Sequence, residues 1–378
     1  MPALPFNAAP DQVLKSGLLV LRHLLPDDWT VQERNVHADM IFTVEEPGDT
    51  LIDIAAPSFG GSVVLVEART SLTPADAMRA LAPKMNLLQR IYSTAAALVI
   101  APWLSPKSRE VLEQRRVGYL DLTGNINIKL SQPAVVIKTQ GSQRDPRGTG
   151  APGQRGISGS KAARLVRLLA DVAPPYHATE LAEVARVSQP YVSRLLEVME
   201  QQTLIIRDGR VITHVDWQGL LRARASSYSL LSSNSPVTML APRGITDTLI
   251  RLEELPDSEP LKTAVTGALA AEAIAPLTVG EQLMIYVDGR VHAPDDVAHR
   301  LGLLRSETGD VVLMRAANDI VFAGRRKVRG VWSVALSQLA LDCLSGPGRL
   351  PAAGDAVLEY MRVREPEWRA RDLRSLAW

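Results

Sequence analysis

The sequence predicts a multidomain protein of α/β and α+β class. Short apolar runs rich in Val, Ile and Leu (GSVVLVE, AAALVIAP) alternate with amphipathic stretches (PDQVLKSGLLVLRHLL, SPKSREVLEQRR), the pattern of strands joined by helices. A stretch rich in Gly, Pro, Ser and Arg, residues 141–159, has almost no apolar content and reads as a flexible linker. The chain has 378 residues, enough for two or three domains at roughly 150 residues each. The expected division is 1–140, an α/β domain; 141–159, the linker; 160–216, a small helical domain with a hairpin; and 217–378, a second α/β domain.

The formal net charge is +1, so any attraction to nucleic acid must come from local patches. The single cysteine, Cys343, sits in the apolar run QLALDCLSG, which excludes a disulfide scaffold and reads as a buried small hydrophobe. There is no basic segment followed by an apolar core at the start, and no apolar run of about 18 residues, so a cytoplasmic protein without a membrane partner is expected. The histidines His23, His37, His177, His214, His292 and His299 lack the spacings that ligate zinc. SGPGRLP lacks the Gly-Lys-Ser/Thr of a phosphate loop, and no GxSxG elbow is present.

In the first domain the elements follow in order. PDQVLKSGLLVLRHLL is an amphipathic helix. WTVQER, ADMIFTVEE with TLIDIAAP, and GSVVLVEART are successive strands. PADAMRALAPKMNLLQRIY is a long helix, AAALVIAPWL a buried strand, SPKSREVLEQRR a helix, and VGYLDLTGNINIKL a turn leading into a further strand. Asp121, Thr123, Gly124 and Asn125 read as turn architecture. The order α-β-β-β-α-β resembles the restriction-endonuclease-like fold. That resemblance implies a first acid, Asp39 (Asp53 as second choice), then Glu67 on the following strand with a lysine two residues on. In those enzymes two carboxylates hold Mg²⁺ and the lysine orients water. Here Arg69 occupies the lysine position, and Gln89 with Tyr92 resembles a Gln/Tyr pair of some such nucleases. Arginine is a permanently charged planar fork and a poor substitute for a catalytic lysine. The expectation is therefore a nuclease-like domain that is not an enzyme, with Mg²⁺ needed only if it cleaves.

Residues 160–216 carry the clearest signal. SKAARLVRLLAD has Leu165, Leu168 and Leu169 at helical spacing. TELAEVAR is a second helix, with Thr179 near its cap. Ser188 and Pro190 suit the start of a third, in which Val192, Leu195, Leu196 and Met199 form an apolar stripe. LIIRDGRVITH reads as a hairpin turning at Asp208-Gly209 in type I′ geometry. The string TELAEVARVSQPYVSRLLEVMEQQTLIIRDGR resembles a winged helix-turn-helix. That resemblance implies binding to double-stranded DNA, since the major groove, about 12 Å wide, admits one helix. Ser188, Gln189, Tyr191, Ser193 and Arg194 would meet base edges, and Arg207 and Arg210 phosphates. Lys and Arg barely outnumber Asp and Glu in this segment, which is weak for nucleic acid.

After a connecting helix, WQGLLRARASSYSLLSS, the third domain alternates again from Val237. AVTGALAAEAIAPL, LMIYV, DIVFAGRRKVRGVW and QLALDCLSGPGRLPAAGDAVLEYM resemble the AbiEi-like antitoxin and transcriptional regulator family of type IV toxin–antitoxin systems. The resemblance implies promoter control, with a cognate toxin or a second copy of the chain as partner. GRRKVRG carries Arg325, Arg326, Lys327 and Arg329 without an intervening acid, and is expected at a hairpin tip contacting phosphate. The expected function is a sequence-specific DNA-binding regulator. The alternatives are a Mg²⁺-dependent nuclease aimed by the winged helix, and a protein-interaction adaptor that never meets DNA.

Overall fold

The computed structural model describes residues 9–34, 48–79, 91–143, 145–146, 157–255, 262–275, 282–289 and 293–375. It is a mixed α/β structure with two large mixed sheets. The chain divides into two compact units: residues 1–153 with 201–203, and residues 154–200 with 204–378. Among the described residues no helix is long and apolar enough to cross a membrane.

The first unit runs α1 (Pro10–Leu24), β1 (Thr30–Glu33), β2 (Asp49–Ala56), β3 (Gly60–Ala68), α2 (Pro74–Arg79), β4 (Ala96–Ala101), α3 (Pro106–Gln114), β5 (Gly118–Asp121), β6 (Ile126–Ser131) and β7 (Ala134–Thr139). The strands form one seven-stranded sheet in sequence order. β3, β4 and β5 pair in parallel; the outer pairs are antiparallel. Successive side chains of a strand point to opposite faces. Accordingly Val64, Val66, Leu98 and Ile100 pack with Val13, Leu18 and Leu21 of α1. Val63, Leu65, Ala97 and Val99 pack instead with Ala77, Leu104, Val111 and Leu112. The central strands are therefore apolar on both sides, as their unbroken hydrophobic runs require. α1 approaches so closely that a Cβ at Gly17 would collide with Ile100. β7, absent from the sequence-based expectation, is exposed along most of its length. The DLTGN segment is the expected turn. Asp121 is buried and accepts from the backbone N–H of Leu104 (3.1 Å), Thr123 (3.0 Å) and Asn125 (3.0 Å).

The second unit opens with α4 (Gly159–Asp171), β8 (Tyr176–His177), α5 (Ala178–Ala185), α6 (Gln189–Gln201), β9 (Ile205–Asp208), β10 (Val211–Val215) and α7 (Trp217–Ala225). The three short strands form an antiparallel sheet in the order β8-β10-β9. A larger sheet follows: β11 (Pro236–Leu240), α8 (Gly244–Glu254), β12 (Thr263–Thr266), α9 (Gly267–Glu272), β13 (Leu283–Val287), α10 (Pro294–Leu301), β14 (Leu304–Arg305), β15 (Val311–Arg315), a 3₁₀ turn (Asp319–Phe322), β16 (Arg326–Val328) and β17 (Val331–Ser333). Its strand order is β14-β11-β15-β13-β12-β17-β16. α11 (Leu336–Leu344), α12 (Leu350–Val363) and α13 (Glu365–Trp368) complete the unit. One apolar core runs through residues 157–373, from Leu165 and Leu196 to Tyr286, Leu339 and Leu373, so the helices before residue 216 and the sheet after it share an interior. Trp368 meets Trp217 edge to face at 5.1 Å, and Arg369 donates to the carbonyls of Leu169 and Ala170 at the end of α4.

DIVFAG lies between strands and forms the 3₁₀ turn, which starts where Asn318 Oδ1 accepts from Ile320 N (3.1 Å). One local expectation is corrected. The β9–β10 turn has Gly209 and Arg210 at its centre, and only Gly209 has positive φ (+57°), which fits type II′ instead of type I′.

The core also encloses a polar network. Asp342, fully buried on α11, accepts from Thr266 Oγ1 (2.7 Å), Gln338 Nε2 (2.8 Å) and Tyr286 Oη (3.0 Å). Burial pushes its carboxyl up to about 6. A carboxyl whose folded value exceeds its unfolded one makes the folded state bind more protons between the two, so stability falls as pH rises through that window. Thermal midpoints measured from about pH 4 to pH 6 are expected to carry this loss, roughly 2 kcal/mol in all. Asp342→Asn should flatten the slope; a variant with the parental slope would show that another group causes it.

Candidate nucleic-acid interface

α5 and α6 are joined by a turn that the sequence closes tightly. Arg186 adopts left-handed backbone (φ +52°), and Val187 N bonds to Ala182 O at 3.0 Å. Glu180 accepts from His177 N (2.8 Å), so the N-terminus of α5 is closed from His177 rather than from Thr179. α6 buries Val192, Leu195, Leu196 and Met199, the expected stripe. Its opposite face presents Gln189, Ser193, Arg194 and Glu197 to solvent, with Ser188 exposed just before the helix. Arg194 makes no ion pair among the described residues; its Nε donates only to Pro190 O within its own helix (3.3 Å).

Tyr191 departs from this set. It is half-buried against the core, with Lys161 Nζ 5.8 Å from its ring centre. Burial raises its phenol above the ordinary range. The i, i+3 spacing from Ser188 to Tyr191 hides this, because the residue that reaches its ring, Lys161, comes from α4, distant in sequence. Arg186 and Lys161, both exposed at the N-terminal end of α6, extend the basic surface and escaped the sequence reading: one looks like a helix-terminal charge, the other lies far off in sequence.

In the hairpin, Arg210 is exposed in the turn. Arg207 is instead engaged: its Nε and Nη2 both donate to Glu200 Oε2 of α6, so much of its charge is matched within the protein. The basic run 325–329 is dispersed as well. Arg325 stacks on Trp332 (4.3 Å) and donates to Thr263 O (3.3 Å). Arg326 is half-buried in β16, with Nε enclosed and without a hydrogen-bond partner among the described residues. Lys327 lies over Trp332 at 5.3 Å. The hairpin tip consists of Arg329 and Gly330, both with positive φ (+49° and +86°), and a Cβ at Gly330 would collide with the Glu253 carboxylate. The expected four-cation tip is thus one exposed arginine with an acid nearby. The reason is that the strand begins at Arg326 and spreads the cations over both its faces.

In the first unit, Asp39 and Gln89 lie outside the described residues. Asp53 pairs in register with Val63 and bonds to Arg34 (3.1 Å). The acid directly opposite Glu67 in the β2–β3 ladder is Asp49. Directly opposed residues of an antiparallel pair share a face. Arg69 bridges the two: Nη1 is 2.9 Å from Asp49 Oδ1 and Nη2 is 2.6 Å from Glu67 Oε1. A divalent cation held by this pair would need the space and the oxygen lone pairs that the guanidinium fork takes, so the residues present do not fit Mg²⁺. Among the described residues no group of three or more His, Cys, Asp or Glu is arranged to hold a metal ion.

Compared with known proteins, the chain matches no family model, no curated protein and no solved structure.

Proposed function

We propose that this protein is a sequence-specific binder of double-stranded DNA and a transcriptional regulator, its segment 159–215 acting as a winged helix-turn-helix. The observation that carries this reading is the solvent face of α6, where Gln189, Ser193 and the unpaired Arg194 stand together behind an exposed Ser188. Short polar side chains near a helix N-terminus suit base edges, and a free guanidinium suits guanine or phosphate. Arg186, Lys161 and Arg210 add cations around that helix. In this reading the first unit has a restriction-endonuclease-like fold whose acidic pair is held by Arg69 and not by a metal. The sequence resemblance to AbiEi-like antitoxins makes autoregulation beside a toxin the working hypothesis for its biological setting.

Fluorescence anisotropy with its own promoter DNA and a scrambled duplex, at two salt concentrations, tests the proposal. A preference of roughly a hundredfold or more for the promoter is expected. Arg194→Ala should weaken promoter binding by about 1–3 kcal/mol and narrow that preference. Arg207→Ala should change little, because Arg207 is already paired with Glu200. Equal affinity for the two duplexes, or an Arg194→Ala protein that binds like the parent, would refute the reading.

A further inference from the structure

We propose that the cavity under the first turn of α4 is a binding site for a compact organic or inorganic oxyanion, with Arg224 as the group that recognises its charge. The cavity has a volume of about 240 Å³ and lies wholly within the second unit. Its walls are the start of α4, the end of α7 with the residues after it, and the loop leading into the 3₁₀ turn.

Arg224 is 7% exposed. Its Nη1 donates to Ile157 O (3.0 Å) and more weakly to Ser227 Oγ (3.4 Å), its guanidinium lies 5.3 Å from the Tyr228 ring centre, and its Nε is enclosed with no hydrogen-bond partner among the described residues. No carboxylate pairs with it among the described residues. A buried guanidinium without a counter-charge is costly, and proteins keep such groups paired or use them. Burial correspondingly pulls the Arg224 guanidinium below its ordinary range. Arg167, which also lines the cavity, makes the contrast: it is 1% exposed yet held by Asp171 and Gln338.

The rest of the lining agrees in sign. Among the described residues no Asp or Glu lines the cavity. The first turn of α4 has no acidic residue, and a helix N-terminus favours anions. Asn318 uses its Oδ1 on Ile320 N, which leaves its NH₂ for a ligand. The volume lies below the roughly 300–1,000 Å³ typical of sites for drug-sized ligands, so the occupant is small: a short-chain carboxylate or a phosphate. This inference does not depend on DNA binding.

The test is thermal denaturation of the full chain titrated with succinate and, separately, with inorganic phosphate, each against chloride of matched ionic strength. One of the two should raise the midpoint saturably, by roughly 5–10 °C at a hundredfold excess over its Kd, and which one does so assigns the ligand class. Arg224→Met, which keeps the apolar volume, should weaken that anion at least tenfold and, without anion, should melt no lower than the parent. Ala163→Leu, which fills the cavity and leaves Arg224 in place, should also abolish the shift. No response to either anion, an undiminished response in Arg224→Met or Ala163→Leu, or a marked loss of stability in anion-free Arg224→Met would overturn the proposal; the last would make Arg224 a structural residue.

Discussion

Arg69→Ala is expected to destabilise the first unit by about 3 kcal/mol at neutral pH and to make its stability respond to divalent cations. The cause is the ladder register: Asp49 and Glu67 face each other across β2 and β3, their side chains only 1% and 8% exposed, and Arg69 supplies the charge between them. Without it, two carboxylates stand on one sheet face at the short separation of an opposed pair, with little water to screen them. Removing one member of a buried ionic set costs more than the set contributes, because the remaining charges lose their partner. Millimolar Mg²⁺ or Ca²⁺ should raise the midpoint of Arg69→Ala and leave the parent unchanged, since only the variant frees oxygen ligands for a hard cation. Urea denaturation with and without Mg²⁺ measures both effects. A variant within about 0.5 kcal/mol of the parent, the range of ordinary surface substitutions, would mean that the bridge contributes nothing.

The same pair shows where the sequence was legible and where it was not. Strand β4 and the stripe of α6 were plain because hydrophobic periodicity is local: each is decided by residues within two turns or six positions. Glu67 and Arg69 were also legible, being two apart in sequence at the end of β3. Asp49 was not, because its partnership depends on which residue of β2 the register sets opposite Glu67, and register is a long-range outcome. Asp53, one of the sequence's own choices, fell four residues from that point. Charge carried the same limit. Arg207 was read as a phosphate contact, but β9 returns beside α6 and brings it to Glu200. Arg224 and Arg167 sit in helices whose composition looks ordinary, and arginine is normally assigned to the surface. Nothing in WQGLLRARA or SKAARLVRLLAD separates the two buried arginines from exposed Arg222 or half-exposed Arg164; only the packing of α4, α7 and α11 does.

Arg167→Met should have the larger effect, a loss of about 3–5 kcal/mol from the second unit. Arg167 is 1% exposed and fully engaged. Its Nε donates to Asp171 Oδ2 (3.1 Å), Nη1 to Gln338 Oε1 (2.9 Å) and Ile320 O (3.2 Å), and Nη2 to Ala323 O (3.0 Å). One guanidinium therefore ties α4 to α11 and to the 3₁₀ turn, elements more than 150 residues away in the chain. Methionine fills similar volume but leaves Asp171 buried without a counter-charge and removes a donor from each of two carbonyls. Arg167→Lys should rescue little, since a single ammonium cannot span acceptors arranged around a planar fork. Arg167→Met combined with Asp171→Leu should recover much of the loss, because an ion pair replaced on both sides by apolar groups leaves no orphaned charge. Chemical denaturation of the single and double variants gives the coupling between them. If Asp171→Leu failed to restore stability to Arg167→Met, the cost would lie in the carbonyl contacts to the 3₁₀ turn and not in the ion pair. If Arg167→Met itself fell within about 1 kcal/mol of the parent, α4 would be held by its apolar face alone, and the buried arginine would have no structural part in positioning the helices that carry the α6 surface.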